Sequence, residues 1–238
     1  MCLARLLSLV IELLITFFCF CFFCISGTTR FTRLDISFVV STTAVDSGDN
    51  FQLIKSTMES IIEQYGVKKH LYSMVVFGQN ANIILPFQQS TKDSLLSIIK
   101  GAQLASGSPD LVNALETTKQ LFFQPSGGAR PDSHRIIVVM IDKKSVNSGI
   151  AIEKIVGEYE DRKVRFVIVV IGNEADPDEL IPLTPDKDKK DIVPTNKDDD
   201  PRTVREKIMV LIVKGKHGKF CRFLFSSYHN DHSCSKAC

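Results

Sequence analysis

From Leu34 onward, short β-branched runs alternate with stretches whose apolar residues recur every three or four positions, the pattern of a sheet covered by helices. Leu34 to Val40 (LDISFVV) reads as a first buried strand. Phe51, Ile54, Met58, Ile61, Ile62 and Tyr65 then form one apolar stripe of a helix, opened by Asp49 or Asn50 and closed by Gly66. LYSMVVF, ending at Phe77, and Ala81 to Phe87 are strands separated by only Gly78, Gln79 and Asn80, a gap that permits nothing but an antiparallel hairpin. Pro86 directs the second of them to an edge.

Ser90 with Asp93 resembles a capping box for a helix carrying Leu95, Leu96, Ile98 and Ile99 and stopping near Gly101. Ser108 and Pro109 read as N-cap and first residue of a helix through Leu111, Leu115, Thr118 and Phe122 that ends before Pro125. SGGARPD follows as a surface loop. Arg135 to Ile141 and Val164 to Ile171 are continuous apolar runs of the kind buried on both faces of a parallel sheet, with a helix over Ile150 to Tyr159 between them. Asp176 and Pro177 begin a short turn, Ile192 and Val193 a weak strand, and Asp200 with Pro201 caps a last helix bearing Val204, Ile208, Leu211 and Ile212, with Gly215 as its stop. The fold class is therefore α/β: a doubly wound, mostly parallel sheet with one antiparallel edge strand and helices on both faces.

Two segments flank this domain, which spans residues 34–214. Residues 1–26 contain an unbroken apolar run of 13 residues, Leu13 to Ile25, the length of a signal-peptide core and short of a bilayer span. The alternative is a signal anchor over Leu6 to Ser26, which would place Glu12 in hydrocarbon near one interface. Residues 215–238 form a basic tail in which Lys216, Lys219 and Arg222, with Lys214 just before them, interleave with phenylalanines. All seven cysteines lie in these flanks, and the tail holds Cys221, Cys234 and Cys238, an odd number for disulfide pairing, so one needs a further partner: another chain, a continuation of the protein, or Cys24 if cleavage falls before it. His229, His232, Cys234 and Cys238 offer zinc-type ligands at no standard spacing.

Charge and motifs narrow the function. Twenty-nine Lys and Arg stand against 27 Asp and Glu, a net charge of +2 without a long one-sign block, so nucleic acid is not an expected partner. No phosphate-binding loop, nucleophile elbow or metalloprotease string occurs, and His70 and His134 stand apart from any nucleophile pattern, so an enzyme is not expected.

The order of elements, with DISFVV, NFQLIKSTMESIIEQYGV, YSMVVFG with NIILPF, LVNALETTKQLF, RIIVVMID and VIVVIGNEADPDEL, resembles a von Willebrand factor type A domain over about Leu34 to Lys214. The resemblance implies ligand binding at the carboxyl ends of the strands, where the strand order reverses. It also implies a divalent-cation site, the metal-ion-dependent adhesion site, built from an Asp-x-Ser-x-Ser loop after the first strand, a Thr before the third major helix and an Asp after the fourth strand. This chain departs from that pattern: Ser41 stands at the leading carboxylate, Val45 at the last hydroxyl and Pro109 at the Thr, and only Thr43 and Asp142 match in ligand type. A hard cation wants six oxygens, several of them charged, so no metal and no other cofactor is expected. Ser41, Thr43, Pro109, Asp110 and Asp142 are the residues of the implied ligand face.

The function so implied is a secreted or cell-surface protein-binding or adhesion module that works without the metal, with an extracellular or matrix protein as partner. A structural matrix module cross-linked through the tail cysteines into an oligomer, and a magnesium-dependent adhesion domain, are the alternatives. Membrane contact is expected only through an uncleaved N-terminal segment.

Overall fold

A computed structural model describes residues 33–41, 48–147, 149–184 and 187–214; Thr43, the N-terminal segment and the cysteine-bearing tail lie outside the described residues. The elements run β1 (Leu34–Ser41), α1 (Gly48–Tyr65), β2 (Leu71–Phe77), β3 (Ala81–Leu85), α2 (Lys92–Gly101), α3 (Leu111–Phe123), β4 (His134–Lys143), α4 (Gly149–Glu160), β5 (Val164–Glu174), the short α5 (Pro177–Leu180), β6 (Ile192–Thr195) and α6 (Pro201–Lys214). The strands form one six-stranded sheet in the order β3-β2-β1-β4-β5-β6. Every pairing is parallel except β2 with β3. The chain winds outward one way from β1 to β3 and the other way from β4 to β6, so the order reverses between β1 and β4.

Parallel strands covered on both sides leave no solvent face, and this is why the sequence runs are apolar without alternation. Every residue of β1 and of β2 is buried. Val39, Val75, Phe77, Ile137, Val139, Ile168 and Val170 point to the face packed by α3 and α4, which contribute Leu111, Ala114, Leu115, Phe122, Ile152, Ile155 and Tyr159. Each such aliphatic side chain contributes on the order of 1.5–3 kcal/mol on burial. Ser37 and Ser73 lie side by side in the β1–β2 register, on this same face by strand alternation, and both hydroxyls are buried without a hydrogen-bond partner. Their small size keeps the middle of β1 and β2 thin beneath α3.

Several boundaries differ from those read in the sequence. The N-cap of α2 is Thr91, whose hydroxyl accepts from the Ser94 amide, in place of Ser90. The N-cap of α3 is Asp110, in place of Ser108, and Pro109 lies outside the helix. Asp110 wins because its carboxylate reaches the Asn113 amide at 2.8 Å, leaving Pro109 free to make a different contact described below. β3 stops at Leu85, since Pro86 cannot continue the ladder. The Gly66 stop to α1 is as expected: its φ of 71° is the left-handed cap geometry, and its amide returns to the Ile62 carbonyl at 2.8 Å.

The segment around Arg130, read as a surface loop, is instead a clamp at the edge where the parallel strands begin. Asp35 of β1 is fully buried. Its carboxylate accepts from the Arg130 amide at 2.6 Å, from Arg130 Nε at 2.9 Å and Nη2, and from the Ser133 hydroxyl at 2.6 Å. Arg130 also reaches the Leu34 and Lys69 carbonyls, so one guanidinium ties the starts of β1 and β2 together. His70 is buried here as well, its Nδ1 accepting from the Leu34 amide. Desolvation first, then the charges of Arg130 and Lys69, lower its pKa, with Asp35 opposing.

A buried carboxylate stripped of its only cation is left uncompensated. Arg130→Ala is therefore expected to lower unfolding free energy by about 3 kcal/mol, measured by urea denaturation. The double replacement Asp35→Asn with Arg130→Met should lose less than that single change; an equal or larger loss would show that the clamp does not act as a pair.

Candidate functional site

The sheet's other edge, where the parallel strands end, gathers the residues singled out from the sequence. β1 ends on Ser41, β4 passes through Asp142 near its end, and α3 starts from Pro109 and Asp110. Ser41 and Asp142 are buried, at 0% and 2% exposure, and neither the Ser41 hydroxyl nor either Asp142 oxygen has a hydrogen-bond partner among the described residues. Pro109 is buried and Asp110 half-buried. Thr43 lies outside the described residues.

Asp142 is the electrostatic anomaly of the site. Burial pushes its carboxyl up from 3.8 to about 6, and Glu174 adds to the rise, against the pull of its own amide, Lys143 and Asn50. Asn50, at the start of α1, is close enough to act on the charge, yet no bond of normal geometry reaches either oxygen, so this pull is a weak dipolar one.

The start of α3 is where the structure adds most to the sequence reading. A helix N-terminus presents amides without intrahelical partners. Here Asp110 takes the Asn113 amide, the Ser145 hydroxyl takes the Leu111 amide at 3.3 Å, and the Asn147 side chain takes the Val112 amide at 2.9 Å. The Pro109 carbonyl in turn accepts from the Val146 amide at 2.9 Å and from the Ser145 hydroxyl. The loop between β4 and α4 is thus latched onto the helix start. The partners are 34 and 35 residues apart in sequence, too distant for any local pattern to reveal them. Beneath the latch, Gly78 is obligatory: a Cβ there would sit 2.2 Å from the Ser106 carbonyl oxygen. That close approach lets the Asp110 amide bond the Gly78 carbonyl at 2.9 Å, which fixes Pro109 against the β2–β3 turn.

The latch has an outward side. Val146 and Ile150 are 61% and 82% exposed, the largest values among the exposed large hydrophobic residues described. Two lysines leading into the same loop are engaged, Lys143 with Glu174 and Lys144 with Glu179.

Of the implied ligand positions among the described residues, a divalent cation at this edge would find one neutral hydroxyl from Ser41, one carboxylate from Asp142 and no side-chain donor at Pro109. No group of three His, Cys, Asp or Glu side chains converges on a metal-sized site among the described residues.

Asp142 makes a pH-dependent difference of known sign. Its raised pKa means that the folded chain holds a proton more tightly than the unfolded one, so the stabilising contribution is present below pH 3.8 and is lost as pH rises through about 6. Asp142→Asn is expected to exceed wild type in stability at pH 7 by at most about 3 kcal/mol, and to lose that advantage toward pH 4, as read by chemical denaturation at both pH values. An unchanged difference would refute the burial of an unpaired carboxylate.

The von Willebrand factor type A domain family matches residues 35–206. Among solved structures, proximal thread matrix protein 1 from the mussel byssus superposes with a TM-score of 0.63 at 18% identity, over 77% of this chain and 46% of that one. A second structure of that mussel protein, described as having a zinc-occupied adhesion-site motif, gives 0.64 at 17% identity, over 76% and 46%. A von Willebrand factor type A structure from Catenulispora acidiphila gives 0.59 at 12% identity, over 76% and 42%. The chain spans less than half the length of these structures, and at such identities the likeness is one of fold. Family match, strand order and antiparallel edge strand agree: this chain belongs to the von Willebrand factor type A domain family.

Proposed function

We propose that this chain is an extracellular, protein-binding type A module whose ligand face is the edge where the parallel strands end, and that it binds without a metal. The observation that carries this reading is the latch. At the position where the family's hydroxyl would ligate a cation, Pro109 offers only its carbonyl, and that carbonyl is already bonded to Val146 and Ser145. The other described donors, Ser41 and Asp142, supply a single carboxylate, and Thr43 would add only a neutral hydroxyl. This is a poor set for a hard divalent ion, which needs several charged oxygens to replace its water. What the face offers instead is apolar area at Val146 and Ile150, held on a hydrogen-bonded loop. A rigid apolar anchor with a polar surround is the usual core of a protein contact.

Extracellular placement rests on the absence of cysteine between Cys24 and Cys221, on the apolar leader, and on the fold shared with a byssal matrix protein. The non-enzymatic reading rests on the sequence, which carries no phosphate-binding loop, nucleophile elbow or metalloprotease string. Cross-linking through Cys221, Cys234 and Cys238 would make the same module a structural one; disulfide-linked multimers on a non-reducing gel, with no partner retained by the reduced monomer, would favour that second reading.

Two measurements test the proposal. Calorimetric titration of Mg²⁺ or Mn²⁺ into wild type and Asp142→Ala should give equal, non-saturating heats; a saturable wild-type isotherm lost in the variant would restore the metal-dependent reading. Protein partners captured from extracellular matrix extract by the immobilised chain should persist in EDTA and fall by about tenfold or more for Val146→Asp with Ile150→Asp, whose exposed positions leave folding intact. Capture abolished by EDTA, or indifferent to those substitutions, would overturn it.

A further inference from the structure

A buried carboxylate without a partner is costly, and the edge where the parallel strands end holds one beside a further unsatisfied acceptor. β1 and β4 are neighbours at the point where the strand order reverses. Ser41 is the last residue of β1 and Asp142 the last but one of β4, so two buried polar side chains stand at the ends of adjacent strands. Neither the Ser41 hydroxyl nor either Asp142 oxygen has a hydrogen-bond partner among the described residues. An ionised carboxylate can only accept, so what Asp142 lacks is a donor.

The charge around it has the same sign. Asp110 caps α3, Asp176 caps α5 and Asp198 follows β6, all at this edge. Three lysines of the edge are taken by other carboxylates: Lys143 lies 3.6 Å from Glu174, Lys144 2.5 Å from Glu179 and Lys197 3.6 Å from Asp49. Asp110, Asp142, Asp176 and Asp198 enter no ion pair among the described residues. Arg202, in the first turn of α6, is exposed at this end too, but does not balance four carboxylates.

A hard divalent ion does not suit this donor set, whereas a side-chain cation does. It brings its own N–H donors and needs no full shell of charged oxygens. Its aliphatic stem can also lie along apolar surface while the charged head reaches inward, and Val146 and Ile150, in and just after the loop that follows β4, offer such surface. We propose that the partner bound at this edge presents a basic segment and sets a lysine or arginine against Asp142, a side-chain cation taking the place of a metal. Such a pairing selects basic partners and rejects acidic ones. This inference rests on the protein-binding reading of the edge and names the chemistry of the partner.

The test begins with a random heptapeptide library displayed on phage and selected on the immobilised full chain in EDTA. Enriched peptides should combine lysine or arginine with aliphatic residues and lack Asp and Glu. A synthetic copy of the commonest should bind Asp142→Asn about tenfold or more weakly than wild type, and norleucine in place of its cation should cost a similar factor. The two changes together should lose little more than either alone, the signature of a direct pair. Asp142→Asn keeps the shape of the side chain, and chemical denaturation confirms its folding. Peptides without charge preference that still need Val146 and Ile150 would overturn this inference and leave the metal-free protein-binding reading standing. Acidic peptides selected only when Mg²⁺ replaces EDTA would overturn both. Basic peptides indifferent to Asp142→Asn, additive losses, or no enrichment at all would each overturn the pairing.

Discussion

A parallel sheet covered on both faces confines polar chemistry to its two edges, and that constraint organises this molecule. Between the edges the strands hold almost nothing but aliphatic and aromatic side chains. The charges that do enter the core must be met where strands begin or end. Asp35 meets Arg130 and Ser133 at one edge, whereas Asp142 at the other has no partner among the described residues. The same kind of residue is therefore a tie in one place and a source of tension in the other.

On the proposed function, that asymmetry separates stability from recognition. The clamp at the strand starts satisfies a buried carboxylate with charge-assisted bonds to both backbone and guanidinium, the arrangement in which such groups hold structure together. The strand ends combine an unsatisfied carboxylate, an unsatisfied hydroxyl and two exposed aliphatic side chains. Evolved surfaces carry such features where a partner is expected, because no folding requirement favours them.

How much of this was legible in the chain depends on the range of the interaction. Periodicity located every major helix and strand, since an apolar stripe or a continuous β-branched run is a local signal; Gly66 and Pro86 punctuated it correctly. Capping was only half legible. Ser108-Pro109-Asp110 contains two residues able to cap; Asp110 does so by reaching the Asn113 amide, and the Pro109 carbonyl is turned to Val146, which lies far along the sequence. Nothing local marked Ser145 or Asn147, and Arg130 read as a surface-loop residue. Their partners lie 34, 35 and 95 positions away, and no spacing rule joins them. The family resemblance supplied the positions Ser41, Pro109 and Asp142, and the structure supplied their condition: buried, bonded through the backbone, or without a partner.

The paired serines in the middle of β1 and β2 give this arrangement a mechanical side. Ser37 and Ser73 are neighbours on the face covered by α3, and neither hydroxyl is engaged. Their service is to be small. A bulkier pair would lift α3 from the sheet, and α3 carries Asp110 and the amides that hold Ser145 and Asn147. The spacing of a helix over two hydroxymethyl groups, deep in the interior, thereby sets the height at which Val146 and Ile150 are offered to the outside.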